Sequence, residues 1–240
     1  MKHYRAVGIL CLLIAGQAMA VCLVPQPRLV CAEYFASQVV ARATLVKINA
    51  IGDQADPVGI AAHVYTLRAD HVIRGRVAAW LQVYEGNDSG RATFDWTVGK
   101  QYLLFLFPSA NRNSWELDGC GNSGPLGGAK AALDQIRAIR HAHDGGVILG
   151  VVSEQALSVP IGGVQVEAQG AGGNYSATTN AKGEFKIIIP AGAYTIRASK
   201  ADERFDKADL SYADPHRVQI EPGGCVQVQF AAKDGHEARP

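Results

Sequence analysis

The clearest hydrophobic pattern in the chain is a short apolar run that begins after Gly99 and ends before Pro108. Within it, Tyr102–Phe107 is an unbroken series of aromatic and aliphatic residues. A run of this length between a glycine and a proline predicts a strand that is buried on both faces. A polar turn follows, and it leads to another predicted strand that ends on Cys120.

The segments around this central strand complete the pattern of a small domain. Alternating and β-branched residues predict earlier strands over 39–48, 64–74 and 77–84, and one helical turn is predicted over 31–37. Residues 129–140 carry alanine, leucine and isoleucine on one helical face, which predicts an amphipathic helix. Five antiparallel strands with a packed helix predict a barrel of the OB type.

The second half of the chain has a different pattern. Seven short strands are predicted between Val147 and Phe230, with no helical stretch among them. This spacing predicts a β-sandwich, so the protein as a whole is predicted to be mainly β. The acidic stretch 202–206 has the composition of a calcium ligand set, but we predict it to be a solvated loop.

The amino terminus has the pattern of a cleaved signal peptide over residues 1–20. A basic start precedes an apolar run of about ten residues, and small residues occupy Ala18 and Ala20. A membrane anchor would need about 20 apolar residues, which this run lacks. We therefore predict export to a secreted or periplasmic location, with no membrane span after cleavage.

These patterns divide the mature chain into two domains of similar size. The first is predicted over 21–143 and the second over 146–233, with a tail over 234–240. His141 and His143 lie between the domains, and their spacing would suit a metal on an extended segment. Because no third ligand is close in sequence, we predict a linker and no metal site.

The charge balance argues against nucleic acid as a partner. The whole chain has 23 basic and 22 acidic residues, and removal of Lys2 and Arg5 with the leader leaves 21 basic residues and a formal charge of −1. A protein that binds the phosphate backbone is normally strongly basic. Phosphate-binding loops and nucleophile-elbow motifs are absent from the sequence, so no cofactor is predicted.

The cysteines fit an oxidising compartment. Cys11 leaves with the leader, and an even number of cysteines in an exported protein predicts two disulfides. Zinc sites normally have more closely spaced cysteines than this chain provides. By count alone three pairings are possible among the four that remain: Cys22, Cys31, Cys120 and Cys225.

The first domain resembles the netrin-like fold and, more narrowly, tissue inhibitors of metalloproteinases and their bacterial relatives. The resemblance covers about residues 22–141, or half of the chain. It is carried by the order of these motifs: Cys22-Leu-Val-Pro25, Cys31, Val39-Val-Ala-Arg-Ala43, Val72-Ile-Arg-Gly75, Gly99-Lys-Gln-Tyr-Leu-Leu-Phe-Leu106 and Leu117-Asp-Gly-Cys120.

The resemblance implies a disulfide pairing. The second cysteine of the family's amino-terminal motif pairs with the cysteine after the central hairpin, which corresponds to Cys22 with Cys120. Family partners of the other cysteines are absent from this chain, so the resemblance leaves Cys31 to pair with Cys225 across the domain boundary.

The resemblance also implies a candidate binding edge. The family inhibitors place the amino group and carbonyl of an amino-terminal cysteine on the zinc of a protease. In this chain the free amine after cleavage would belong to a valine, one residue ahead of the cysteine. The corresponding edge consists of Val21, Cys22, Leu23, Val24 and Pro25.

The second domain resembles carboxypeptidase regulatory-like, or transthyretin-like, domains. The motifs are Thr178-Thr-Asn180, Gly183-Glu-Phe185 and a Pro-x-Gly-x-Tyr sequence that ends at Tyr194. The resemblance implies a seven-stranded immunoglobulin-like or prealbumin-like sandwich without a peptidase site. We expect the ring of Tyr194 to be buried and its hydroxyl to be bonded at a corner of the fold.

A hydrolase is the least favoured function. His63 and Ser123 faintly resemble protease motifs, and Asp95 or Asp118 could complete a triad on paper. Too little chain separates His63 from Ser123 for two barrels to meet at a site, so we predict a strand residue and a turn residue. No catalytic residues are assigned.

These observations favour an exported, non-enzymatic binding or scaffold protein. Its partner would be another extracytoplasmic protein. The alternative is a metalloprotease inhibitor that acts through the mature amino-terminal edge, in which case the partner is a zinc protease.

Overall fold

The structure is a computed structural model of the chain. It describes residues 28–56, 58–88, 91–110, 113–141, 144–154, 159–201, 203–208 and 211–232, with only the backbone of Arg204. Strands account for most of the regular structure, which confirms the mainly β fold class.

In the part of the first half that the structure describes there are two helices and six strands. The helices are α1 (Val30–Ala36) and α2 (Lys130–Arg140), and a short 3-10 turn, Leu126–Gly128, precedes α2. The strands are β1 (Val39–Gly52), β2 (Ile60–Arg74), β3 (Trp80–Gly86), β4 (Gln101–Pro108), β5 (Trp115–Glu116) and β6 (Gly124–Pro125).

Five of these strands pair in a closed ring. The order β1-β2-β3-β5-β4 returns to its start because β1 pairs with both β2 and β4. The prediction that all of these pairs are antiparallel is wrong, since β3 and β5 pair in parallel through Val83 and Trp115. Assignment of this ring to the OB class stays a prediction.

The central strand β4 is buried on both faces, as its apolar run predicted. Tyr102, Leu104 and Leu106 pack with the inward residues of the ring. Leu103 and Phe105 point to the opposite face and pack against the two helices. All five side chains are at most 1% exposed. Strand β4 therefore joins the two cores of the first half.

The described residues of the second half form eight strands rather than the predicted seven. They are β7 (Gly146–Glu154), β8 (Gln165–Gly170), β9 (Gly173–Thr178), β10 (Glu184–Ile189), β11 (Gly192–Lys200), β12 (Glu203–Lys207), β13 (Val218–Ile220) and β14 (Gly224–Ala232). The extra strand β12 replaces the predicted acidic loop. Residues 203–204 of β12 pair with β11, and residues 205–207 pair with β14. Strand β12 therefore connects β11 to β14 within the sandwich.

One apolar core fills the second half, and Tyr194 closes it at a corner. The Tyr194 ring is 4% exposed and packs in this core. Its hydroxyl donates a hydrogen bond to the carbonyl oxygen of Pro190 at 3.1 Å. This arrangement confirms the expected role of the tyrosine.

Among the described residues, no helix has the length and apolar character that crossing a membrane requires.

Candidate functional site

The first site is the junction between the two halves, where Cys31 of α1 is bonded to Cys225 of β14. Their Cα atoms lie 5.4 Å apart although 194 residues separate them in sequence. The two faces of β14 have different partners. Val228 and Phe230 point into the sandwich core, whereas Cys225, on the opposite face, is bonded to α1. The disulfide confirms the predicted Cys31–Cys225 pair.

The other predicted cysteine pair and the predicted edge cannot be placed in the same way. Cys120 is disulfide-bonded, and its partner lies outside the described residues. The whole edge Val21–Pro25, including Cys22, also lies outside them. The Cys22–Cys120 pair and the binding role of the edge therefore stay predictions.

A cation with little exposure also lies at the junction. Arg28 forms an ion pair with Asp118, and its side chain is only 9% exposed. The guanidinium also lies 5.0 Å from the ring centroid of Phe107 and 4.9 Å from that of Tyr212. Such cation–π contacts are favourable, most of all in sites that water does not reach. Arg28 thus joins the first half to Tyr212 of the second.

A buried carboxylate completes the junction. Glu33 of α1 is 0% exposed, and its Oε2 accepts hydrogen bonds from the backbone N–H of Asn122 at 2.6 Å and from its side-chain amide at 2.7 Å. Next to it, the N–H of Leu29 donates to Oε1 of Gln227 at 2.7 Å. The Leu29–Gln227 bond crosses the junction, whereas the Glu33–Asn122 bonds fix α1 within the first half.

Burial changes the ionisation of this junction. Loss of solvation raises the pKa of Glu33 to about 7, although the Asn122 hydrogen bonds and the charge of Arg28 oppose the shift. Burial, helped by the charge of Asp118, also raises the pKa of Tyr212 to about 12. The Glu33 carboxyl therefore changes its charge near neutral pH.

The second site is an open groove on the first half, beside two tryptophans; we call it the tryptophan groove. It has a volume of about 730 Å³. Trp80, at the start of β3, is 57% exposed. The groove is lined by Thr66, Arg76, Val77, Ala78, Trp80, Leu81, Gln82, Pro108, Ser109, Asn113, Ser114 and Trp115.

The backbone of β3 has an open edge in this groove. On one side, every residue from Trp80 to Gly86 pairs with β2. On the other side, among the described residues, only Val83 is paired, with Trp115. The segment Trp80–Gln82 therefore presents backbone groups that no described strand covers. An uncovered strand edge readily pairs with another extended chain.

One buried polar group of the groove has no partner among the described residues. The Ser114 hydroxyl oxygen is buried and forms no hydrogen bond to any residue that the structure describes. Arg76 is exposed, and the described lining residues of the groove include no carboxylate. Unsatisfied buried groups are rare in folded proteins and call for an explanation. A bound chain would supply a hydrogen-bond partner for the Ser114 hydroxyl and an acceptor for the Arg76 guanidinium.

The residues of the disfavoured triad have other roles. The hydroxyl oxygen of Ser123 accepts a hydrogen bond from the N–H of Phe105 at 2.9 Å, so this serine supports the central strand. His63 lies in β2 with its ring stacked near that of Tyr65, 5.9 Å between centroids. His63 therefore lies in a strand, and Ser123 lies directly before β6 in a segment without regular structure.

Comparison with protein families identifies the second half. The model of one family, the Carboxypeptidase regulatory-like domain, matches residues 147–231. Residues 147–231 form a carboxypeptidase regulatory-like domain. The match agrees with the Gly-Glu-Phe and Tyr194 motifs of the sequence. It doesn't reach the tryptophan groove, and the netrin-like resemblance of the first half receives no support from it.

The remaining comparisons are uninformative about function. No curated protein matches the chain. The crystal structure of a C-terminal fragment of the pilus adhesin SpaC from Lactobacillus rhamnosus GG is similar over 85% of this chain and 91% of that chain. The identity is 11% and the TM-score is 0.28, values at which the likeness carries no argument.

Neither the groove nor the polar junction was predicted from the sequence. Trp80 and Trp115 are 35 positions apart by their numbers, and each lies in a segment predicted only as a strand. The signal available in the sequence is Trp80 itself. It is a large aromatic residue at a strand position whose side chain alternates away from the core.

Proposed function

We propose that the chain is an exported, non-enzymatic binding protein and that the tryptophan groove holds an extended segment of a partner protein. The segment adds as a strand to the open edge of β3. The observation that carries the proposal is the uncovered backbone of Trp80–Gln82 between two tryptophan side chains. Strand addition is a common way in which proteins recognise extended peptides.

The groove chemistry sets what the segment contains. Backbone hydrogen bonds to β3 supply affinity for any extended chain, whereas side-chain contacts supply selectivity. The indoles of Trp80 and Trp115 favour an aromatic or aliphatic residue. Arg76 favours a carboxylate near it, because the described part of the groove lining provides none. The favoured segment therefore combines apolar residues with an acidic residue.

The junction supports this function by holding the accessory domain against the first half. The Cys31–Cys225 disulfide, the Leu29–Gln227 hydrogen bond and the Arg28–Tyr212 contact connect the carboxypeptidase regulatory-like domain to α1 and the two residues before it. A fixed arrangement reduces the entropy that a partner must remove on binding. The alternative, inhibition of a zinc protease through Val21–Pro25, depends on residues outside the described part of the chain.

The direct test is selection of linear peptides from a random display library on the immobilised mature protein. We expect apolar, acidic peptides, and we expect Trp80→Ala to weaken their binding by about tenfold or more, measured by calorimetry. Exposed aromatic anchors commonly contribute energies of this size. The substitution should leave the fold intact because Trp80 is largely exposed.

The matched control is Ile188→Ala, since Ile188 is 74% exposed and lies on the second domain. Selected peptides should bind this variant as tightly as the natural protein. Binding that survives Trp80→Ala unchanged would contradict the assignment of the groove. Failure to select any peptide would contradict strand addition itself.

A further inference from the structure

A second groove of different character lies between α2 and strands β1 and β2, and we call it the cationic groove. Its volume is about 410 Å³. Its cationic and imidazole side chains come from both the sheet and the helix. The lining residues are Arg42, His71, Ile73, Leu133, Ile136, Arg137, Arg140 and His141.

The fold brings these side chains together from distant positions. Arg42 of β1 and His71 of β2 are directly opposite each other in the strand pairing. Residues three apart lie on the same side of a helix, so Arg137 and Arg140 in the last turn of α2 face the same groove. His141 follows at the end of this helix.

The charges of the cationic groove are largely unpaired. In the part of the chain that the structure describes, neither Arg42 nor Arg140 forms an ion pair, and Nε of Arg42 is buried without a hydrogen-bond partner. Asp134 bonds Lys130 at 2.6 Å and Arg137 at 3.1 Å. The groove therefore keeps an excess of positive charge in a protein of nearly neutral composition.

The carboxylate next to His71 is also engaged. Asp70 accepts hydrogen bonds from Thr44 at 2.6 Å, from Gln101 at 3.0 Å and from Arg68 at 3.2 Å. These hydrogen bonds lower the pKa of Asp70 against the opposing effect of desolvation. Asp70 therefore stays ionised, and its lone pairs are directed to side chains other than Arg42.

Helix electrostatics explains only part of this arrangement. Basic residues in a last helical turn stabilise the helix through its dipole, which accounts for Arg137 and Arg140. That reason doesn't apply to Arg42, which lies on β1 and has a buried nitrogen without an acceptor. A bound anion would supply that acceptor.

We propose that the cationic groove binds a phosphate group whose carrier has an apolar part. Guanidinium groups bond phosphate through two parallel N–H donors, and Arg42 and Arg140 approach from different elements. Ile73, Leu133 and Ile136 give the groove an apolar floor that a purely polar anion would leave uncovered. This site is separate from the tryptophan groove and doesn't depend on the function proposed there.

The test is calorimetric titration of the mature protein with a short-chain phosphatidic acid below its micelle concentration. We expect saturable binding that weakens as salt is raised. Arg140→Gln should weaken it by about tenfold, and Arg42→Gln with Arg140→Gln should abolish it. Arg197→Gln, at an exposed arginine of the second domain, is the matched control and should leave binding unchanged.

Two further ligands separate the phosphate from its carrier. A short-chain phosphatidylcholine should bind far more weakly, because its choline cancels the phosphate charge. Inorganic phosphate should compete, but with lower affinity. Equal affinity for phosphatidic acid and phosphatidylcholine would overturn the proposal, as would binding that both arginine variants retain or the absence of binding. If inorganic phosphate bound as tightly as phosphatidic acid, the claim that the carrier has an apolar part would be overturned.

Discussion

We expect simultaneous replacement of Cys31 and Cys225 by alanine to lower the free energy of unfolding by about 4 kcal/mol. A disulfide restricts the unfolded chain, and the restriction grows with the length of the loop that it closes. Here the bond joins residues 194 positions apart, so the loop contains most of the chain. Replacing both cysteines avoids leaving a reactive thiol at the junction.

Urea unfolding followed by tryptophan fluorescence and by circular dichroism measures this loss. The described tryptophans Trp80, Trp96 and Trp115 all lie in the first half. Fluorescence therefore reports that half, while circular dichroism reports both. We expect the two transitions to coincide in the natural protein and to separate in the variant. A loss below about 1 kcal/mol with coincident transitions would show that the disulfide doesn't clamp the two halves.

The second large effect is expected at Glu33, where Glu33→Gln should remove a pH dependence of stability. The pKa of this carboxyl is raised by burial from 4.5 to about 7 in the folded protein. Between these values the unfolded chain releases a proton that the folded protein keeps. Stability therefore falls as the pH rises from 4.5 to 7, by about 3 kcal/mol in total.

A glutamine has no charge to lose, so the variant should be more stable than the natural protein at about pH 8 and similar near pH 4.5. Its side-chain oxygen can still accept both hydrogen bonds from Asn122. The new amide hydrogens lack an acceptor at the position of Oε1, which limits the gain at high pH to about 2 kcal/mol.

Chemical denaturation across this pH range measures the effect, with Glu167→Gln as the matched control. Glu167 is exposed on β8, so its replacement should leave the pH profile unchanged. If Glu33→Gln and the natural protein lost stability in parallel as the pH rises, Glu33 would not be the titrating group.

The parts of the fold that the sequence predicted correctly have local causes. The β4 run is apolar at every position from Tyr102 to Phe107, so both faces needed cover whatever the topology. The α2 helix has its apolar residues at helical spacing over eleven residues. The corner at Tyr194 depends on a hydroxyl that bonds a carbonyl four residues earlier.

The errors arise where distant parts of the chain decide the structure. Strand β12 has acidic and basic residues around Phe205, and this pattern is typical of a loop. It forms a strand because β11 and β14 pair with it. The parallel pairing of β3 with β5 rests on one bridge between Val83 and Trp115. No periodicity in either segment indicates the direction of its neighbour.

The candidate sites were harder to predict for the same reason. The tryptophan groove exists because β5 is short and leaves the beginning of β3 uncovered. The junction combines Arg28 with Tyr212 and Leu29 with Gln227, and the second pair is 198 positions apart in the sequence. The Cys31–Cys225 pair was reached because the count of cysteines and the family resemblance left few alternatives.

Hydrogen exchange of the β3 amides, followed by NMR with and without a selected peptide, tests the binding proposal most directly. Strand addition would place new hydrogen bonds on the open edge of Trp80–Gln82. We predict that exchange within this segment slows by about tenfold or more when the peptide is bound. Unchanged exchange there, with protection confined to other strands, would contradict the account.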